Sequence, residues 1–311
     1  MNIISIGELI RQRRIELGLT QEQLCEGICE PSNISRIENG YQLPSRSKMT
    51  ALLQRLGLPS EKYYALLSDV EVEISNLQAE ITSHIVRREY HEGLEKLAQL
   101  ETMIEDDDNI LKQFILSCKV ALGKRDKGNI VHYSDDERIE MLYEAIRLTV
   151  PRFDIDDLSA HLLSADEIKI INQIGITYQF NCQYKAAIAI FYELMRYIKK
   201  HFRTLTQSLE TAPIVILIAY NYSQFLNFDA RYEDSLEIAE LGLEYSKSLR
   251  NSSYLGSLLF IKANDLYHLN RVEESRKYYL QSYYVYCALD DVECLQEAKE
   301  HIKELFGLNI D

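Results

Sequence analysis

Apolar residues in the first part of the chain recur at helical spacing in short runs. Ile6, Leu9, Ile10 and Ile15 alternate with Arg11, Arg13 and Arg14, which predicts an amphipathic helix from Ile6 to Leu17. Thr20 and Gln23 have the form of an N-terminal capping box, each side chain taking a backbone donor of the other's turn. A helix is predicted there, with Leu24 and Ile28 on its apolar side. Gly27 and Pro31 mark its end and a tight corner, and Ser32 is read as the cap of another helix running through Asn39. Ile34 and Ile37 anchor this helix and leave Asn33, Ser35 and Arg36 facing outward. Ser45 caps a helix that carries Met49, Leu52, Leu53 and Leu56 and ends at Gly57. Pro59 starts a fifth, through Tyr63, Tyr64, Leu66 and Leu67. Ser68 to Ser75 contains neither Gly nor Pro and reads as a short or partly helical joint.

Two short helices meeting at a turn suit the major groove of B-DNA, which accepts a helix whose N-terminal side chains reach base edges. Arg36 can fork onto guanine, and Asn33 and Ser32 can bond to base edges or phosphates. Gln21 and the free N–H groups at the start of the first helix suit a phosphate. The residues TQEQL, SRIENG and LPSRSKMTALLQRLGL resemble the five-helix DNA-binding domain of the Cro/C1 repressor-type (XRE) family over about the first 68 positions. The resemblance implies DNA contacts at Gln21, Ser32, Asn33 and Arg36, with the loop from Asn39 to Arg46 on backbone phosphates, and the outward-facing Ser35 is a further candidate for DNA contact. Pro31 departs from the pattern, standing where related repressors often carry a polar residue that reads a base.

Beyond the joint the pattern is one of amphipathic helices, with no strand alternation of any length. Ile174 to Tyr178, followed by Tyr184, Ala187, Phe191 and Leu194, matches the small and aromatic positions of a tetratricopeptide repeat. Copies recur at Tyr232, Ser235, Ala239 and Gly242, and at Val272, Ser275, Tyr279 and Ser282. Their starts are 48 and 40 residues apart, longer than the usual ~34. An earlier copy fits Tyr90, Gly93, Leu97 and Leu100. An irregular one fits Ile110 to Leu122 with Ile139 to Pro151, the polar stretch from Gly123 to Asp136 being its enlarged loop. Leu295 to Phe306 is read as a capping helix. The expected fold is all-α, a five-helix head followed by a right-handed superhelix of about five degenerate repeats. The expected division is 1–68 for the head, 69–75 for a linker and 76–311 for the repeats.

In such a superhelix the first helix of each pair lines a concave surface. The register places Lys169, Asn172, Ile176 and Gln179 of the third repeat there. It adds Tyr220 or Asn221, Gln224, Asn227 and Phe228 of the fourth, and Phe260, Asn264, Tyr267 and His268 of the fifth. A side-chain amide offers a donor and an acceptor, as an extended peptide backbone requires, and the rings would form pockets for its side chains.

Charge sharpens this division. The chain carries −14, but residues 1–68 carry +1, so the acidity belongs to the repeats. A head with so little positive charge gains little from counterion release, and a dimer reading two half-sites is expected. No apolar run is long enough to span a membrane and no cationic leader with a cleavage site is present, so a cytoplasmic protein with no membrane partner is expected. Cys25, Cys29, Cys118, Cys182, Cys287 and Cys294 have no zinc spacing and read as reduced thiols, with no metal or cofactor. Asp106 to Asp108 and Asp156–Asp157 read as solvated charges near helix starts. No phosphate loop, metal cluster or activated nucleophile points to an enzyme.

Head and repeats together resemble the Rgg, PlcR and PrgX group of peptide-sensing, quorum-sensing regulators of Gram-positive bacteria, the RRNPP family. The resemblance implies a homodimer on double-stranded DNA, controlled by a short signalling peptide in the concave groove. It also implies that inner-helix asparagines, here Asn172, Asn221 and Asn264, hold the peptide backbone. The alternative is a regulator whose repeats bind a folded protein or only dimerise.

Overall fold

Side-chain caps open several of the helices. The computed structural model describes residues 5–59, 68–126, 129–180, 183–206 and 212–310. The head begins with α1 (Ile6–Glu16), capped by the Ser5 hydroxyl, and α2 (Gln21–Cys25), which opens on the complete Thr20/Gln23 capping box. The third helix, α3 (Pro31–Glu38), starts earlier than expected: Glu30 is its N-cap and Pro31 its first residue. Proline suits that position because its missing N–H would have no partner there. Ser32 therefore lies inside the first turn and is not the cap. After α4 (Arg46–Arg55), the expected fifth helix through Tyr63, Tyr64, Leu66 and Leu67 lies outside the described residues. Ile10, Leu24, Ile28, Ile34, Ile37, Leu52, Leu53 and Leu56 form one buried cluster among these helices.

Residues 69–75 are the first turns of a 19-residue helix, α5 (Asp69–Arg87), which Ser68 and Glu71 open with another capping box. Ile74, Leu77 and Ile81 turn its apolar side onto α6 (Tyr90–Glu101) and α7 (Asn109–Leu122). The polar stretch after α7 holds a small antiparallel hairpin, β1 (Lys124–Asp126) with β2 (Asn129–Val131), paired Arg125 to Ile130 at its centre. Three residues per strand are too few for an alternation to show in the sequence. The Ser134/Glu137 capping box then starts α8 (Asp135–Thr149), and α9 (Ala165–Phe180) follows. These helices and the head belong to one compact unit, Met1–Asn181 with Arg203–Ser208.

The second unit, Cys182–Phe202 with Leu209–Asp311, contains α10 (Tyr184–Leu205) as far as Phe202, then α11 (Ala212–Phe228), α12 (Tyr232–Leu249), α13 (Leu255–His268), α14 (Val272–Ala288) and α15 (Val292–Phe306). Helix pairing recurs with the sequence. Ser235 Oγ donates to the Ser223 carbonyl at 2.9 Å, and Ser275 Oγ to the Ala263 carbonyl at 2.7 Å, tying the second helix of each pair to the first. The turns of both pairs pass through one left-handed residue, Ala230 and Asn270. At Gly242 a Cβ would press on the Leu258 side chain at 2.8 Å, so glycine lets α12 and α13 approach. The fold is all-α with tetratricopeptide-like repeats. Among the described residues no helix is long and apolar enough to cross a membrane.

Candidate functional site

The head exposes a polar surface from a rigid support. Ile34 and Ile37 of α3 are buried, which turns Ser32 and Arg36 to solvent and leaves Asn33 and Ser35 half-buried. The Arg36 side chain makes no hydrogen bond or ion pair with a described residue, so its guanidinium fork is free for a ligand. Asn39 folds back, its Nδ2 donating to the Ser35 carbonyl at 2.7 Å, and fastens the end of α3. Gln21 is positioned from behind. Its Nε2 donates to Glu38 Oε2 at 2.8 Å, while Arg14 grips both Glu38 oxygens at 2.6 and 2.9 Å. Burial raises the Glu38 pKa, but the bonds from Arg14 and Gln21 outweigh it and hold the carboxyl below its usual range. Arg46 gives its backbone N–H to Glu71, at the start of α5. Tyr41 and Leu43 are 79% and 69% exposed in the loop after α3 that is expected on backbone phosphates.

Within the first unit the head is fastened to the repeats by a buried polar lock. Arg55, at the end of α4, donates to the carbonyls of Leu24 at 3.1 Å and Glu26 at 2.6 Å on its own side. Across the junction it reaches the Thr149 carbonyl at 2.8 Å and Glu167 Oε1 at 3.3 Å. Both side chains of this ion pair are almost wholly buried, 3% and 2% exposed. Thr149 Oγ1 donates to Glu167 at 2.6 Å and accepts from Gln113 Nε2 at 2.6 Å. Ser164 N–H donates to the other Glu167 oxygen at 2.6 Å, so Glu167 also caps α9. Gly27 completes the fit: its φ is +73°, and a Cβ there would collide with the Thr149 carbonyl. The only sequence signals were an arginine among Leu52, Leu53 and Leu56, and the Ser164-x-x-Glu167 capping pattern.

The second unit presents a repeated face. Tyr220, Gln224 and Asn227 of α11 and Phe260, Asn264 and Tyr267 of α13 stand 40 residues apart in register, all half-buried. The two rows join where Asn227 Nδ2 donates to Asn264 Oδ1 at 2.9 Å. Gln224 Nε2 reaches the Tyr220 hydroxyl at 3.2 Å, and Asn264 Nδ2 the Tyr279 hydroxyl at 3.2 Å. Each amide keeps hydrogen-bonding capacity after these contacts, Gln224 and Asn227 through their carbonyl oxygens. Tyr220 stacks on Tyr254, and Phe228 is exposed beside Tyr184. Asn172 and Asn221 are placed otherwise. Both are buried, at 5% and 4% exposure, so their amides face the interior and present no open surface. The side chain of Gln179 lies outside the described residues.

A neighbour of this face was not anticipated. Asp265 is fully buried, with Asn227 Nδ2 at 2.6 Å from Oδ1 and Ser235 Oγ at 2.7 Å from Oδ2. Burial pushes its carboxyl up to about 7, against the hydrogen bonds from Ser235 and Asn227. Among the described residues no group of three His, Cys, Asp or Glu side chains is placed to hold a metal ion.

Residues 10–63 match the family model described as Helix-turn-helix. The head is a helix-turn-helix domain. No curated protein sequence matches the chain. Among solved structures, Bacillus thuringiensis PlcR in complex with the peptide PapR7 and DNA is similar at 21% identity and a TM-score of 0.56, over 98% of this chain and 100% of that one. Its apo form is similar at 20% identity and 0.57, over 96% and 98%. ComR from S. thermophilus, in complex with DNA and its signalling peptide, aligns at 15% identity and 0.45, over 98% and 100%. The chain has the fold of the PlcR group, with the helix-turn-helix domain at its start.

Proposed function

We propose that this protein is a DNA-binding transcription regulator controlled by a short signalling peptide held on its tetratricopeptide-like repeats. The observation that carries the reading is the joining, in one chain with the fold of PlcR, of a helix-turn-helix domain with a free Arg36 and a repeated ring-and-amide face. PlcR itself was solved with a peptide and DNA. In this reading residues 1–68 are the DNA-binding head, 76–311 the peptide-binding and dimerisation region, and the chain acts as a cytoplasmic homodimer on a two-half-site operator. Gln21, Ser32, Asn33, Ser35, Arg36, Asn39 and Arg46 contact DNA. Tyr220, Gln224, Asn227, Phe228, Phe260, Asn264 and Tyr267 contact the peptide. Peptide binding shifts the dimer between arrangements because it binds one of them better, and coupling of roughly 1–3 kcal/mol is typical. No catalytic step is part of this role.

Two measurements test it. Genomic fragments selected by the purified protein define an operator, and Arg36→Ala is expected to weaken binding to it by about 1–3 kcal/mol, roughly fivefold to 150-fold. Undiminished operator affinity in this variant removes α3 from the reading role. Mass spectrometry of short peptides retained from an extract of native cells tests the other half. One peptide enriched on the wild type and depleted on Gln224→Ala/Tyr267→Ala is expected. Equal retention by both proteins places the ligand elsewhere.

A further inference from the structure

The corner of the helix-turn-helix holds two thiols that DNA reading does not use. Cys25 is the last residue of α2 and buried in the head core, while Cys29 is half-buried one residue before Glu30, the N-cap of α3. Neither is in a disulfide. The Cys29 N–H donates to the Cys25 carbonyl at 3.0 Å. An i to i+4 bond of this kind holds the two Cα atoms about 6 Å apart, within the usual range for a disulfide. The Cys25 thiol keeps its hydrogen, donating it to the Glu22 carbonyl at 3.6 Å. That neighbouring thiol is the largest influence on Cys29, lowering its pKa together with Lys48 and Arg55 against burial and the nearby Glu30. Cys29 is the nucleophile of the pair and Cys25 the protonated partner.

We propose that Cys25 and Cys29 form a peroxide-reactive dithiol that closes to a disulfide across the helix-turn-helix corner and weakens the head's hold on DNA. The Cys29 thiolate attacks one oxygen of hydrogen peroxide. An S–O bond forms, the O–O bond breaks, and the departing hydroxide takes a proton to leave as water. Cys25 then attacks the sulfenic sulfur, an S–S bond forms, the S–O bond breaks, and a second water leaves. Two thiols and one peroxide become one disulfide and two waters, and the two electrons pass from sulfur to peroxide. Closure draws Cys29 toward the core. Gly27, between the two thiols, lies so close to Thr149 that an added Cβ would collide with its carbonyl, so closure is expected to displace Glu30 and the first turn of α3, where Ser32 and Asn33 sit.

The effect on DNA rests on the proposed function, whereas the bond itself does not. The test treats the full chain with hydrogen peroxide, blocks remaining thiols with N-ethylmaleimide and digests with trypsin. Cleavage after Arg14 and Arg36 releases residues 15–36, which contain both cysteines. Loss of two hydrogens from this peptide without alkylation is the expected result. Cys29→Ser is expected to abolish the reaction, while Cys25→Ser leaves a sulfenic acid that dimedone traps. In parallel, oxidised wild type is expected to lose affinity for the operator fragment and to recover it with dithiothreitol, the reduced protein showing that the head binds DNA at all. Full alkylation of both thiols after peroxide overturns the proposal. So does a gain of oxygen in place of the loss of hydrogens, or a disulfide that leaves operator affinity unchanged.

Discussion

Arg55→Ala is expected to destabilise the first unit by about 3–5 kcal/mol, read as a shift in its urea unfolding midpoint. The substitution strands the Glu167 carboxylate in a buried site and removes donors from the carbonyls of Leu24, Glu26 and Thr149. Surface pairs at the same junction, such as Arg152 with Glu26 and Lys48 with Asp107, are worth far less because water screens them. The lock is nevertheless a poor device for stability alone. Arg55 Nε is buried without a partner among the described residues, and desolvating two charges offsets most of their attraction. Arg55→Met with Glu167→Leu is therefore expected to restore most of the lost stability. What the double variant cannot restore is directional bonding, which fixes the head in one register on α8 and α9. In the proposed function that register carries the signal, so the double variant should bind operator DNA with its response to peptide lost. A response of normal size would show that packing alone couples head and repeats.

What could be read beforehand follows the range over which each signal acts. The Thr20/Gln23 box, the Ile34/Ile37 anchor and the repeat starts at Tyr232 and Val272 are local chemistry, and each stands where its spacing put it. The α3 start was misplaced by two residues because Ser32 is the better cap in isolation, whereas Pro31 is the better first residue. Long-range polar choices were not legible. Arg55 and Glu167 are 112 positions apart, and Asn227 meets Asp265 only after α11 and α13 pack. Asn221 shows the same limit at close range. It neighbours Tyr220, but one step along a helix turns a side chain by about 100°, which is enough to carry its amide from the open face into the interior.

Raising the pH from 5 to 8 is expected to destabilise the second unit through Asp265, and Asp265→Asn to remove that loss. Proton counting explains why. Ser235 has one hydroxyl hydrogen, and the Ser223 carbonyl, 2.9 Å away, can only accept it. Protonated Asp265 can then supply the hydrogen of the 2.7 Å contact between Ser235 Oγ and Asp265 Oδ2, whereas the carboxylate has to take it from Ser235. Its pKa of about 7 lies above the value near 3.9 of an unfolded aspartate. Between those values the folded chain holds a proton that the unfolded chain has released, so stability falls as pH rises and levels off above about 7. From pH 5 to 8 the change is about 2–3 kcal/mol at 1.36 kcal/mol per unit. Asparagine copies the protonated form, its Nδ2 donating to Ser235 Oγ and its Oδ1 accepting from Asn227. Urea unfolding of both proteins at pH 5 and pH 8 should therefore diverge, with the variant the more stable at pH 8. Parallel curves would mean that Asp265 is ionised in the fold at both pH values and that Ser235 donates to it instead. Because Asn227 links Asp265 to Asn264, the same proton sets the order of the face proposed to hold the peptide. Ionisation adds a charge beneath that face without adding a donor, and in the proposed function peptide affinity should follow the same pH window in the wild type and lose it in Asp265→Asn.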